Sequence, residues 1–268
     1  MQSCHQTVTA TPLDWVICRD KNSFMKYFES WKQGLQTAFR VEKIPESILQ
    51  RYFLETPLGS PIVILGLHNE TVVASSTLVP LALKCPINSI TFKYLQYVAA
   101  YILPSYSDGF QTYRKMLELV RTELRDTRYR FILSFPNKNT KNLMLRLGRF
   151  KHLDAGFLIR GKMETTIIQR LNAELSKPFF DDTLLDWRIH SRLKRDSGLI
   201  TRRYEDEQNL LDVTSSEFRK DFEGLMPWWE SWGHPPYDAT DSNRLDMCAY
   251  SETELPSMKR SFLLSDTF

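Results

Sequence analysis

The chain has 268 residues, is 42% apolar and 25% charged, and carries a formal net charge of +3. That composition describes a globular chain long enough for a sizeable core, and it excludes intrinsic disorder, collagen and coiled coil. The longest apolar stretch, Val72 to Leu83, contains Ser, Thr and a proline and is far shorter than the roughly 20 residues a membrane-spanning helix needs.

No basic segment followed by an apolar one marks the N-terminal residues, so a cytoplasmic location is expected. Between Lys21 and Phe39, the residues Phe24, Phe28, Trp31, Leu35 and Phe39 recur at helical spacing, which predicts one helix with an apolar face. Pro45 opens a second helix, stopped by Pro57 and Gly59. The period then changes. Pro61 to Leu67 and Thr71 to Leu83 flank a polar tip of His68, Asn69 and Glu70, the pattern of a β-hairpin. Ile90 to Leu103, rich in β-branched and aromatic residues, predicts a third strand ended by Pro104.

Gln111 to Arg125 predicts a long helix with Met116, Leu117, Val120 and Leu124 on one side. Phe131 to Phe135 reads as a short strand buried within a sheet, and Pro136 to Asn139 as a turn. Thr140 to Leu147 reads as a helix ended by Gly148, and Phe150 to Ile159 as a further strand. Elements in this order imply an α/β or α+β fold, a mixed sheet flanked by helices on both faces.

From Glu164 the pattern restarts, with helices expected at 164–176, Asp181–Ile189 and Ser215–Leu225 and strands at Ser197–Tyr204 and Asn209–Val213. Residues 47–64 and 183–200 share an apolar helical pattern leading through a Gly/Ser turn into a strand, a hint of duplication. These readings divide the chain into a domain at 1–162 and a C-terminal acceptor-binding region at 163–268. The stretch after Asp238 is polar and is expected to be partly loose.

Residues 1–150 hold 19 Lys and Arg against 11 Asp and Glu, whereas the remainder holds 16 against 21. The basic excess is concentrated between Arg114 and Arg149, which favours a phosphorylated ligand there, a solvated helix face being the alternative. Cys4, Cys18, Cys85 and Cys248 are scattered, so neither a metal site nor a disulfide framework is expected.

Three stretches carry chemistry. Ser107, Asp108 and Gly109 lead into a helix N-terminus, where unpaired amides and the positive end of the dipole suit a diphosphate. The turn Pro136-Asn137-Lys138-Asn139 follows a buried strand, at the strand end where open sheets bind ligands. PWWESWGHPPYD at 227–238 gathers Trp228, Trp229, Trp232 and Tyr237 with Glu230, His234 and Asp238. Aromatic faces beside carboxylates suit a stacked sugar or nucleobase, or else plug the two halves together.

The segments YVAAYILPSYSDGFQTYRKML at 97–117 and FILSFPNKNTKNLMLRLGRFKHL at 131–153, supported by ILQRYFLETPLGSPIVILG at 48–66, resemble the GNAT superfamily of acyl-CoA N-acyltransferases. The resemblance spans roughly the first 160 residues. It implies acyl-CoA, with an acetyl or longer chain, as cofactor. Backbone groups of Ala100, Tyr101 and Ile102 would pair with the pantetheine arm, and amides of Ser107, Asp108, Gly109, Phe110, Gln111 and Thr112 would hold the pyrophosphate. Asn137 and Asn139 would contact the cofactor from the neighbouring strand's end. Ser107, Phe110 and Thr112 stand where the family usually has Arg or Gln, Gly, and Gly or Ala, and Thr140 to Leu147 lacks the family's tyrosine acid.

The implied reaction moves an acyl group from acyl-CoA to a small amine, which needs an oxyanion donor and a base. A backbone amide near Tyr101 serves the first role and His152 the second, ahead of His68, Glu70 and His190. The aromatic segment and the acidic C-terminal half make a nucleotide-linked amino sugar for surface polysaccharide the favoured acceptor. Two alternatives are a Fem-type transferase using aminoacyl-tRNA and a non-catalytic binding protein of the same fold. The small net charge speaks against a nucleic-acid partner.

Overall fold

The computed structural model describes residues 12–40, 49, 53, 54, 56, 58–84, 91–108, 110–162, 228–233 and 244–255. The elements in chain order are β1 (Asp14–Cys18), α1 (Lys21–Met25), α2 (Phe28–Phe39), β2 (Ile62–His68), β3 (Thr71–Lys84), β4 (Thr91–Ile102) and α3 (Gln111–Arg125). They continue with β5 (Ile132–Ser134), α4 (Lys138–Gly148), β6 (Lys151–Lys162), β7 (Trp228–Gly233) and β8 (Arg244–Tyr250). The strands form one sheet in the order β1-β2-β3-β4-β5-β8-β6-β7. Every neighbouring pair is antiparallel except β4 and β5. A mixed, mostly antiparallel sheet flanked by helices is thus both the expected and the observed fold class.

Each face of the sheet carries its own apolar cluster. On one, Phe24, Phe28, Trp31 and Leu35 from α1 and α2 pack with Val63, Leu65, Tyr94 and Tyr101. On the other, Met116, Leu117 and Val120 from α3 and Met144 from α4 pack with Ile64, Leu78, Leu95 and Tyr97. The short β5 serves both faces, Leu133, with Phe131 just before the strand, turning to the first cluster and Ile132 to the second. Burial on two sides explains its unbroken apolar sequence.

The hairpin between β2 and β3 turns on Asn69 and Glu70 alone, with φ of 47° and 64°. His68 belongs to the strand and pairs with Thr71. Two positive-φ residues at the tip match the twist of the flanking strands. The single helix expected over 21–39 is broken at residues 26 and 27 into α1 and α2. Asp20 caps the first piece, its carboxylate accepting the Ser23 amide at 2.9 Å. Gly34 lies in α2 where a Cβ would come within 2.8 Å of Tyr101 Cζ, so the close approach of α2 to β4 requires glycine.

Two strands depart from expectation. β1, which no sequence pattern announced, forms the sheet edge beside β2. β8 lies in the stretch expected to be loose, yet it enters the sheet between β5 and β6. Met247 and Ala249 join one cluster and Cys248 and Tyr250 the other, so the segment is an interior strand buried on both faces. The elements expected at 164–176, 181–189, 197–204, 209–213 and 215–225 lie outside the described residues, and so do most of the helix opened by Pro45 and the repeat at 183–200.

Candidate functional site

Strands β4 and β5 begin as a parallel pair and then part. Their register covers only Leu95 with Ile132 and Gln96 with Leu133. From Tyr97 to Ile102, β4 has no partner on that side among the described residues, while its other edge stays paired with β3. Six residues of strand expose about 20 Å of edge. Within it the register with β3 shifts between Ser75 and Thr77, so that Val98 faces Thr77 and Tyr101 faces Ser75. This β-bulge sets Ala99 at φ 50°. Bulges re-aim the backbone groups beside them.

The hydrogen-bond parity of the edge follows from its end. Leu103 donates its amide to Val73 O at 2.8 Å, toward β3. By alternation Tyr101 also points its backbone toward β3, and Ala100 and Ile102 point theirs to the open side. The backbone of Tyr101, where the oxyanion amide is expected, thus faces β3 rather than the open side. The Tyr101 side chain is a packing group: it is buried and donates from its hydroxyl to Trp31 O at 3.1 Å. Burial pushes its phenol well above the ordinary range.

Between β4 and α3 the chain makes a short 3-10 turn at Pro104–Tyr106. Ser107 and Gln111 are exposed, Thr112 is buried, and Gly109 lies outside the described residues. Phe110 forms the N-cap of α3 at φ 89° and is 57% exposed. The anion site expected at this helix start is partly filled from within. Asp108 Oδ1 accepts the Thr112 amide at 2.7 Å, so that amide is already bonded to a carboxylate. The hairpin end reaches the same loop, His68 lying 5.2 Å from the Tyr106 ring. Glu70 is exposed at the hairpin tip.

Asn137 and Asn139 lie beside the open end of β5, but not in a free turn. Asn137 is the N-cap of α4: its Oδ1 accepts the amides of Asn139 at 3.1 Å and Thr140 at 3.0 Å and the Thr140 hydroxyl at 2.9 Å. The helix starts at Lys138, two residues before the expected start, because this cap satisfies its first donors. We expect Asn137→Ala to cost about 1 kcal/mol of stability, read as a lower urea midpoint. Asn139→Ala should leave the midpoint near wild type, since only the backbone of Asn139 takes part in the cap. Equal losses in the two variants would contradict the capping role.

His152 sits on β6, and β8 separates that strand from β5. Two strand spacings place it about 10 Å from β5, outside the opening beside β4. The expected base thus lies across β8 and β5 from that opening. Its Nε2 is 3.9 Å from Asp246 Oδ1, and the buried Asp246 is ion-paired with Lys141 of α4. That cluster ties β6, β8 and α4 together at the end of β5, where Asp246 also donates its amide to Pro136 O at 3.2 Å. Trp228, Trp229 and Trp232 lie on β7, the far edge of the sheet, while Tyr237 and His190 lie outside the described residues. Among the described residues no cluster of three or more His, Cys, Asp or Glu is placed to hold a metal. No helix among them is long and apolar enough to cross a membrane.

Under α3, three hydroxyls gather beside the bulge. Tyr97 and Tyr113 are buried with Ser76, and the Tyr97 hydroxyl makes no well-formed hydrogen bond although both others are its neighbours. Burial raises the Tyr97 phenol strongly, with the adjacent Tyr113 adding to the effect, and pushes Tyr113 up to about 12. Burial also raises the Cys18 thiol and pushes Cys248 up to about 12.

These shifts have one sign. Below about pH 8.5 the folded and unfolded chains both keep these protons; above it the unfolded chain releases them first, thiols then phenols. Stability should therefore fall as pH rises from about 8.5 to 12, seen as a dropping urea midpoint. A flat midpoint across that window would contradict the burial of these groups.

No family model and no curated protein matches the chain. Solved structures do. One is a protein from Enterococcus faecalis V583 described as a probable N-acyltransferase, 9% identical, with TM-score 0.48 over 89% of this chain and 73% of that one. Another is an acyl-CoA N-acyltransferase from Pseudomonas aeruginosa, 14% identical, with TM-score 0.40 over 53% of this chain and 88% of that one. A third is the GNAT family N-acetyltransferase YhbS from Escherichia coli in complex with CoA, 12% identical, with TM-score 0.39 over 53% of this chain and 72% of that one.

Proposed function

We propose that the chain is an acyl-CoA-dependent N-acyltransferase that acylates a small amine. The observation that carries the reading is the edge of β4 from Tyr97 to Ile102, left without a partner among the described residues where β5 parts from it and carrying a bulge at Ala99. An extended pantetheine arm, with its amide groups spaced along it, is the ligand chemistry that such an edge completes as an added strand. The donor lies along Ala100 and Ile102, with its phosphates toward the loop of Ser107 to Thr112 and the basic face of α3.

The chemistry follows from that placement. A neutral amine attacks the thioester carbonyl carbon, the carbon–sulfur bond breaks, and the thiolate leaves with the electron pair while the amine loses a proton. The open-side amides of Ala100 and Ile102 are the donors available to the carbonyl oxygen as its charge grows. Asn137 contributes by fixing α4 rather than by touching the donor, and Asn139 keeps an exposed side chain for that role.

The acceptor we favour is a nucleotide-linked amino sugar for surface polysaccharide, bound by residues 163–268. The short strand β7 carries Trp228, Trp229 and Trp232 with Glu230 in its sequence, the residue types that suit a stacked sugar bearing an amine. β6 runs parallel to β5 and continues to Lys162, well past the end of β5, carrying β7 toward the end at which the cleft opens. The excess of acidic residues in the C-terminal half favours an amine.

The test is release of the CoA thiol from acetyl-CoA, followed across a panel of amines that includes nucleotide-linked amino sugars. Thiol release that requires the amine supports the reading, and release with the sugars above simple amines supports the acceptor. Coenzyme A binding without release across the panel would favour the non-catalytic alternative.

A further inference from the structure

Between Asp126 and Asp154 the chain holds seven Lys and Arg and no Asp or Glu. Helix α4 sorts the cations among them by direction. Its apolar side, with Met144 and Gly148 buried, packs on the sheet and on α3, where a Cβ on Gly148 would come within 3.0 Å of Leu117 Cδ1. Lys141 is turned to the buried Asp246. Lys138, Asn142, Arg146 and Arg149 are exposed at spacings of four, four and three, one stripe along the outside of the helix. The stripe is about 16 Å long, and exposed Lys151 and His152 follow at the start of β6. β6 starts level with Leu133, in the paired part of β5, so α4 carries Arg146 and Arg149 back from the open end of the cleft. A donor lying along Ala100 and Ile102 does not account for them.

The composition of the stripe points to its occupant. A membrane-binding helix buries an apolar face among the lipids. The apolar side of α4 is committed to the sheet, and the exposed large apolar residues among those described, Met25, Phe39 and Phe110, lie elsewhere. Protein interfaces centre on aromatic and apolar side chains, and this stripe carries neither. Cations and amide donors are what a phosphodiester backbone takes. The net charge of +3 sums a basic and an acidic half and does not describe this face.

We propose that the outer face of α4 docks the phosphodiester backbone of a nucleic-acid strand, outside the acyl-donor site. Arg146 and Arg149 pair with phosphates, and Asn142 donates its amide beside them. Fluorescence anisotropy of short labelled single strands of RNA and of DNA, titrated with the full chain over a range of salt, tests this. The logarithm of the affinity should fall linearly with the logarithm of the salt concentration. Arg146→Gln combined with Arg149→Gln should lower that slope by roughly 1.4, about 0.7 for each phosphate contact removed, and the low-salt affinity about tenfold. Lys21→Gln combined with Lys26→Gln removes the same charge from α1, on the other face of the sheet, and should change neither. Preference for RNA or for DNA identifies the strand and equal binding means that backbone charge alone is read, each in support of the proposal. Saturating coenzyme A should leave the strand bound. Displacement by coenzyme A, equal losses from the two pairs of substitutions, or no binding at low salt overturns the proposal. Binding of phosphatidylserine vesicles but of neither strand overturns it as well and makes the partner a membrane.

Discussion

Trp31→Ala should lose about 3–5 kcal/mol of stability. The indole is fully buried at the centre of the α2 face. It meets Phe24 and Phe53 edge-on at centroid distances of 5.1 and 4.8 Å. Its Nε1 donates to Ser75 Oγ at 2.9 Å, and its carbonyl accepts the Tyr101 hydroxyl at 3.1 Å. Ser75 and Tyr101 are the paired residues that bound the bulge, so Trp31 supports the free edge of β4 from behind. Truncation creates a cavity and leaves the buried Ser75 hydroxyl without its partner. Trp31→Phe keeps most of the volume and should lose only about 1–2 kcal/mol, the share of the hydrogen bond and the smaller ring. Urea unfolding of both variants checks this. Equal losses would mean that volume is not what the site senses.

Arg19→Ala is the second large effect, expected at about 3 kcal/mol. Arg19 follows β1 and reaches Glu123 of α3 through two parallel bonds, Nε to Oε2 at 2.8 Å and Nη2 to Oε1 at 2.7 Å. The Glu123 side chain is only 2% exposed, against 57% for Arg19. Removing the arginine leaves a carboxylate in the core without its fork-shaped partner, which costs more than the pair itself contributes. Adding Glu123→Gln in the Arg19→Ala background removes the charge and should recover part of the loss. A single Arg19→Ala variant as stable as wild type would show that solvent already screens Glu123.

The same physics explains what was legible in the sequence. Gln111–Arg125 is legible to the residue because its apolar stripe is regular, and Thr91–Ile102 within a residue at each end because seven of its twelve residues are β-branched or aromatic. The break between α1 and α2 was hidden because Phe24, Phe28 and Trp31 keep helical spacing across it and all pack on the same cluster. β8 was missed because RLDMCAY looks polar at its start. Only its neighbours β5 and β6, more than 80 residues away in the chain, make it an interior strand. Ion pairs such as Arg19–Glu123 and Lys141–Asp246 leave no local trace at such separations.

At the site, the signals were present and were assigned to the ligand rather than to the fold. Asn137 three residues before Thr140 is the short polar side chain that caps a helix, and Asp108, two residues before the N-cap Phe110, accepts the Thr112 amide of the next one. The free edge of β4 could not be read from sequence. It depends on where β5 stops pairing, a property of two strands separated by a helix.

The most direct test of the donor site is amide hydrogen exchange of the full chain with and without saturating coenzyme A. Protection should rise in the segment 97–103, where Ala100 and Ile102 gain partners on the open side, while β2, already paired on both edges, stays unchanged. Binding of coenzyme A that leaves 97–103 exchanging at its free rate would contradict the placement of the acyl donor along β4.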